Sequence, residues 1–598
     1  MSKFVEKVSL ATPKNKPIDL SHKIYTSFDF MQNRVVMCEE MLPSDSFDVT
    51  LNNYISAAPM ASRVYGDIRV KTMAFFVPNR ILWKDWQNFL TGGETGSAVF
   101  TPPRVGLYAL YTKFYQLYVF KEDETLTETE RAMYAYQFHN YRNFLSEMGV
   151  PVNNLYDEIN DTWIAPVNQQ ELISELPFRA VRWVWFDWLR DQNVISEALR
   201  SSYLDDSGNS HFENGVGMTY EDYYHPMPIS WKKDFFTTLF KDPQRGTMSS
   251  IASDLVVTSE NLNGKPGAAN AQVIWDVSST SGSASSVGQK IGVNPTGNTA
   301  STTPGTYKKV GTDFSILAFR LANATQKFLE KNNIAGSNAL QQLLAHWGTA
   351  PNPAVFNRTQ YIGSHEFSLN IDEVTSTNGD ANGNQGEVVT KLNGGNSNAN
   401  FKFTANEHGY FVVIQTCRPE TGYYQGLAKS LQRFDRFDYF TPEMEATGYD
   451  VVLGKELYFR DGASTDKSIN NKVAGYKPRY GDYKFHNNKV CGDLARNIMA
   501  SYHLCRDLQP LSDLWSEDGL PIMAADTWFT MATDGEIPAD ANGGFDRIFK
   551  DTNFDFDHFI QVINVKFIAH RPMEAYTTPA IADIRGNDTT LPYAGVRL

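Results

Sequence analysis

Cysteine is scarce, with four in 598 residues. Cys38, Cys417, Cys491 and Cys505 form no C-x-x-C pair and are too scattered for a disulfide scaffold. Reduced thiols in a cytosol are the expectation. Positive charge is also short: 54 Lys and Arg face 68 Asp and Glu, a formal net charge of −14. That excludes the broad basic footprint of a free-standing nucleic-acid binder. No long uninterrupted apolar run is present, so no membrane insertion is expected. No apolar stretch follows the first lysines, so no signal peptide is expected.

Catalytic signatures are missing too. The sequence holds no phosphate-binding P-loop, no G-x-S-x-G elbow and no H-E-x-x-H helix. Its 11 histidines are dispersed, no two lying within two residues of each other. A cupin-type metal site, which needs a close pair, is disfavoured. His365-Glu366 has the composition of a metal-site fragment, but neighbours on a strand point to opposite faces, so a structural role is expected. His408, His503 and His570 can meet a carboxylate only through the fold. No metal, cofactor or catalytic set is expected, and the chain reads as a non-enzyme.

Apolar residues are plentiful, at 42 %, and aromatics reach 13 %, with 29 Tyr and 38 Phe. Aromatics favour strands and protein interfaces. The length exceeds what one core usually serves, so several domains or one domain with large insertions is expected. Strand-like alternation recurs from end to end: Phe47 to Leu51, Ile68 to Val77, Phe367 to Ile371 and Ile563 to Ala569. Tyr410 to Cys417 is apolar on both faces, as a central strand is. Strands so far apart need long connections, which suits a jelly roll or another Greek-key barrel.

The connection over residues 80–247 reads as a mostly helical insertion. Leu82, Trp86, Phe89 and Leu90 share a helical face that Gly92-Gly93 stops. Met133, Tyr136, Asn140 and Phe144 continue the theme, and Pro177 opens a helix with Phe178, Val181, Trp185 and Trp188. Asp313 and Asn338 are expected to cap two further helices. Trp183, Trp185, Trp188, Tyr423 and Tyr424 are candidates for intersubunit contact, with burial inside the subunit as the alternative.

Residues 258–308 are rich in Ser, Gly, Asn and Thr, with one apolar patch at Val273, Ile274 and Trp275. They suggest an exposed loop, the patch forming a short strand within it. Residues 375–400 hold three Asn-Gly pairs, which favour tight turns. Residues 1–27 reverse the overall charge: five lysines, Lys3, Lys7, Lys14, Lys16 and Lys23, against Glu6 and Asp19 leave +3. An arm of this kind can lie inside an assembly and touch phosphates.

Six blocks, in order, resemble the major capsid protein of gokushovirus-type microviruses: Ala74 to Gly93, Phe178 to Val194, Asp242 to Gly246, His408 to Leu427 followed by Arg436 to Tyr439, Gly475 to Phe485, and Val565 to Pro579. The likeness departs in the Ser/Gly/Asn-rich loops and around Glu122 to Glu130. The resemblance implies a mainly β chain. It would be a single eight-stranded antiparallel jelly-roll barrel over residues 1–598, with long, partly helical insertions. About sixty copies would form a T=1 shell around circular single-stranded DNA. Implied partners are a small basic DNA-binding virion peptide and a host receptor, met by loop-built protrusions at the threefold axes. The implied location is the virion, assembled in the bacterial cytoplasm. A carbohydrate-binding jelly-roll lectin is the rival from another class, but it needs neither this length nor these helices.

Overall fold

The computed structural model describes residues 15–157, 162–166, 171–190, 231–244, 255–261, 306–312, 316–335, 339–349, 358–375, 388–460, 470–508, 545–550 and 557–573, less single positions within them. The chain divides into two compact units, one of residues 1–243 with 332–598, the other of residues 244–331.

Nine strands carry the first unit. Five lie early: β1 (Lys16–Asp19), β2 (His22–Phe28), β3 (Asn33–Met41), β4 (Ser46–Ala57) and β5 (Ile68–Pro78). Four lie late: β6 (Gln360–Thr375), β7 (Val388–Thr404), β8 (Gly409–Pro419) and β9 (Phe559–Arg571). All pair antiparallel, in the order β1-β9-β4-β7-β6-β5-β8-β3, with β2 also on β9. The ends of this path are not paired with each other among the described residues, so the strands form no closed barrel. The path turns within β6, which pairs with β5 over Gln360 to Leu369 and with β7 over Asn370 to Thr375.

Side-chain alternation decides which faces are buried. Phe47, Val49, Leu51 and Ile55 of β4 point inward, while Asp48, Thr50, Asn52 and Tyr54 point out. On β9, Phe559, Ile563, Val565, Phe567 and Ala569 do the same. Most of these side chains pack across the core on Ala74 and Phe76 of β5 and Phe411 and Val413 of β8, while Ile55 and Phe559 pack with Ile68 and Val70. Phe47 meets Phe567 and Phe411 edge to face, at 4.8 and 5.8 Å between ring centres. At the start of β8 only glycine fits: a Cβ on Gly409 would lie 2.5 Å from the Val77 carbonyl oxygen.

Met73 to Pro78 of β5 and Tyr410 to Ile414 of β8 are apolar on both faces because both faces are covered. The helices between β5 and β6 include α1 (Leu107–Glu122), α2 (Glu128–Glu147) and α3 (Leu176–Val184). α3 starts with Pro177 in its first turn and sets Leu176, Ala180, Val181 and Val184 against Phe75, Val77, Val412 and Ile414. α1 and α2 build a second core around Leu110, Phe114, Phe138 and Leu145. The expected helix through Leu82 and Leu90 divides in two, Asn79–Leu82 and Trp86–Thr91, because Trp83 is extended between them. Phe89 and Leu90 therefore stay exposed.

In the second unit, Leu255–Asn261 pairs with Thr306–Thr312, closing a two-stranded ribbon at the base of the Ser/Gly/Asn-rich segment. Val273, Ile274 and Trp275 lie outside the described residues, as do Asp313 and Asn338. Further along the chain, helices lie at Ile316–Ala335 and, in the first unit, at Ala339–Trp347. Of the Asn-Gly pairs, Asn393-Gly394 makes no turn. It lies in β7, opposite Ser56 and Ile55, where pairing on both sides overrides local turn preference. The other two pairs lie outside the described residues.

The thiols differ in shelter. Burial pushes Cys38 up to about 12 and raises Cys417 and Cys505, whereas Cys491 is exposed. The thiolate is the reactive form. Brief iodoacetamide treatment of the native subunit should therefore add one group, on Cys491, and treatment of the unfolded chain four. Mass spectrometry of digests checks this; early labelling of Cys417 would contradict it.

Candidate functional site

A polar network crosses the otherwise apolar core. Arg34 of β3 is buried. Its guanidinium donates to Gln561 Oε1 at 2.6 Å, Thr26 Oγ1 at 2.9 Å and Glu147 Oε1 at 2.9 Å, and lies 4.5 Å from the Phe28 ring centre. Asn53 Oδ1 accepts from Gln561 Nε2 at 2.9 Å and from Gln415 Nε2 at 3.3 Å. Gln415 Nε2 also donates to Thr72 Oγ1 at 3.1 Å. Glu147, the last residue of α2, accepts from the Val35 N–H at 2.8 Å. Burial raises its carboxyl pKa, against the pull of Arg34 and of that N–H.

One turn back on α2, Arg142 Nη2 and Asn143 Nδ2 donate to Asp557 at 3.2 and 3.1 Å, and Asp557 accepts from Ser27 Oγ at 2.5 Å. His558 then meets Asp29 at 2.8 Å and stacks on Phe549 at 4.3 Å. Burial raises the Asp29 pKa, with His558 opposing. These groups answer each other, and the result is a tie between α2 and the ends of β2, β3 and β9. Sequence reading missed it. The available signal was polar residues at inward strand positions, such as Asn53 and Gln561.

The described part of the second resemblance block, Phe178 to Arg190, anchors β6. Asp187 Oδ1 accepts from Arg358 at 2.7 Å, and Asp187 Oδ2 accepts from the Thr359 N–H at 3.0 Å. Trp188 Nε1 donates to Thr359 Oγ1 at 2.8 Å, and its ring stands 5.4 Å from Tyr361. Trp183 and Trp185 are buried in their own chain, as is Tyr423, which donates to Asp234 at 2.7 Å. For these three, the intersubunit expectation gives way to internal packing: Trp183 covers the outer face of β5 and β8. Trp188 keeps 39 % of its surface and Tyr424 is half-buried beside His503.

Glu366 pairs with Arg69 at 3.7 Å, and His365 lies beside Phe367. His408 stands edge-on to Trp86, and His503 Nε2 bonds the Leu494 carbonyl at 2.8 Å. His570, at the end of β9, is exposed. Among the described residues, no group of three or more His, Cys, Asp or Glu is placed to hold a metal, and no helix is long and apolar enough to cross a membrane.

The outward side of β2, β9 and β4 differs from the acidic whole. Tyr25 and Tyr54 both pair with Val562 and are exposed. Lys23, Asn564 and Asn52 follow in one row, and Lys566 lies beyond them. Asp48, on the same side, is paired with Lys402 at 2.6 Å. Lys16 starts β1 at the sheet's edge, opposite Arg571; Lys3, Lys7 and Lys14 lie outside the described residues.

A family model described as "Capsid protein (F protein)" matches residues 7–107 and 147–521. The chain belongs to this family. It is similar to the capsid protein VP1 of Bdellovibrio phage phiMH2K, 24 % identical over 601 residues, covering 96 % of this chain and 97 % of that one. VP1 of Spiroplasma virus 4 is 24 % identical over 608 residues, covering 96 % of each. VP1 of Chlamydia phage 1 is 22 % identical over 591 residues, covering 87 % of this chain and 92 % of the other. The chain is a structural subunit of a viral capsid, and the lectin reading finds no support. The F-protein match spans β1 to β8 and skips residues 108–146, which are almost wholly α1 and α2. The tie through Arg142, Asn143 and Glu147 is thus where a helical pair outside most of the family match is fastened to the family's sheets.

Proposed function

We propose that the chain tiles a T=1 icosahedral shell of about sixty copies around a circular single-stranded DNA genome. The observation that carries this reading is the strand order. Taken as eight strands, β2-β9-β4-β7 faces β3-β8-β5-β6 across one core, the pairing of a single jelly roll. Virion localisation follows from capsid-family membership, and assembly in the host bacterial cytoplasm agrees with four unpaired cysteines.

The basic arm and the adjoining side of β2, β9 and β4 face the genome in this reading. Support comes from their lysines and exposed tyrosines, the pairing of cation and stacking platform that single strands favour. The acidic remainder leaves bulk charge neutralisation to a small basic virion peptide. Replacing Lys3, Lys7, Lys14 and Lys16 with Gln should lower DNA per particle, or particle yield. No change in either overturns the arm's role. Residues 258–308, including Val273, Ile274 and Trp275, form the host-facing protrusion at the threefold axes. Trimming that segment should spare assembly and impair attachment; loss of assembly would make it structural instead.

A further inference from the structure

Two blocks of family resemblance, Arg436 to Tyr439 and Gly475 to Phe485, take no part in either large sheet, yet the fold brings them together. The Arg433 guanidinium lies 4.1 Å from the Tyr483 ring centre and 5.9 Å from that of Tyr439, and pairs with Asp482. Phe440 packs against Tyr480 at 5.3 Å, and its N–H donates to Tyr483 Oη at 3.4 Å. Tyr480 Oη donates to the Phe437 carbonyl at 3.2 Å. Asp438 accepts from the N–H groups of Phe434 and Asp435, at 2.9 and 2.8 Å, closing the turn.

This framework is firm, but its outer side is bare. Phe434 is 89 % exposed, Leu431 67 %, Tyr439 55 %, Tyr483 46 % and Phe440 45 %. Side chains of this size present together on the order of 500 Å². That is as large as the largest apolar patch on most monomers and well over half of one partner's share in a standard interface, about 800 Å². The composition, Tyr and Phe around a stacked Arg, is that of interface anchors. Charge narrows the partner. Residues 431–445 and 479–484 carry four cations and five carboxylates, net −1. Such a surface has little to offer a phosphate backbone or a highly basic peptide. It suits another nearly neutral protein surface, and a capsid subunit meets copies of itself at every edge.

We propose that this aromatic platform is a seat for a second copy of the chain in the shell. The inference rests on the shell reading, and its test separates the two. In the full-length chain, Leu431→Ser with Phe434→Ser should leave the fold intact by circular dichroism and cut particle yield at least tenfold. In wild-type particles made from this chain alone, hydroxyl-radical labelling of Phe434 and Tyr439 should fall at least fivefold relative to free subunits. Normal particle yield from the folded variant overturns the proposal and leaves the shell reading standing. If the variant does not fold, the labelling decides, and equal labelling overturns the proposal. Absence of particles from the wild-type chain overturns the shell reading and this inference with it.

Discussion

Replacing Arg34 with methionine should lower the stability of the subunit by about 3–5 kcal/mol. The side chain is buried and joins β2, β9 and α2 through Thr26, Gln561 and Glu147. Methionine fills part of the space but donates nothing. Glu147 would then face the core without its cation, and the Gln561 amide and the Thr26 hydroxyl would lose a partner. Removing one member of a buried ion pair is far more harmful than replacing the whole set by apolar groups. Glu147→Gln should also destabilise: Arg34 and the Val35 N–H donate to different carboxylate oxygens, and an amide can accept only one of the two bonds. Urea unfolding of the free subunit at pH 7, followed by tryptophan fluorescence, gives both values. A loss below about 1 kcal/mol for Arg34→Met would remove the network from the account.

Phe47→Ala should be comparably harmful, at about 3–5 kcal/mol, because it empties the middle of the core beside Phe411 and Phe567. Domains are stable by only about 5–15 kcal/mol, so particle yield should collapse with it. The informative contrast is Tyr54→Ala, seven residues along the same strand on the opposite face. Its ring is exposed, and its loss should cost under about 1 kcal/mol. A slip of β4 by one residue would exchange these roles. Equal losses at the two positions would contradict the register described here.

Strand positions were readable in the sequence because their cause is local. Phe47 to Leu51 and Ile563 to Ala569 alternate since one face of each meets the core and the other meets water. Tyr410 to Cys417 does not alternate since α3 covers its second face. The strand order was not readable from alternation, which says nothing about partners. The tie around Arg34, Glu147, Asp557 and His558 was hidden for the same reason: its bonded members lie up to 530 positions apart in sequence and meet only in the fold. Trp183 and Trp185 show the limit of composition. An aromatic stripe fits an interface and a helix packed on a sheet equally well; here Trp183 packs on the sheet and Trp185 is buried beside Phe186. The surface left bare, around Phe434 and Tyr439, lies in a segment without periodicity, so no pattern marked it.

Self-association is the property on which the functional account stands. Electron microscopy of the purified full-length chain, paired with sedimentation, measures it directly. Uniform round particles of about sixty copies of the 67.4 kDa chain are the expected result. A chain that sediments as a stable single molecule under every condition tried would contradict it.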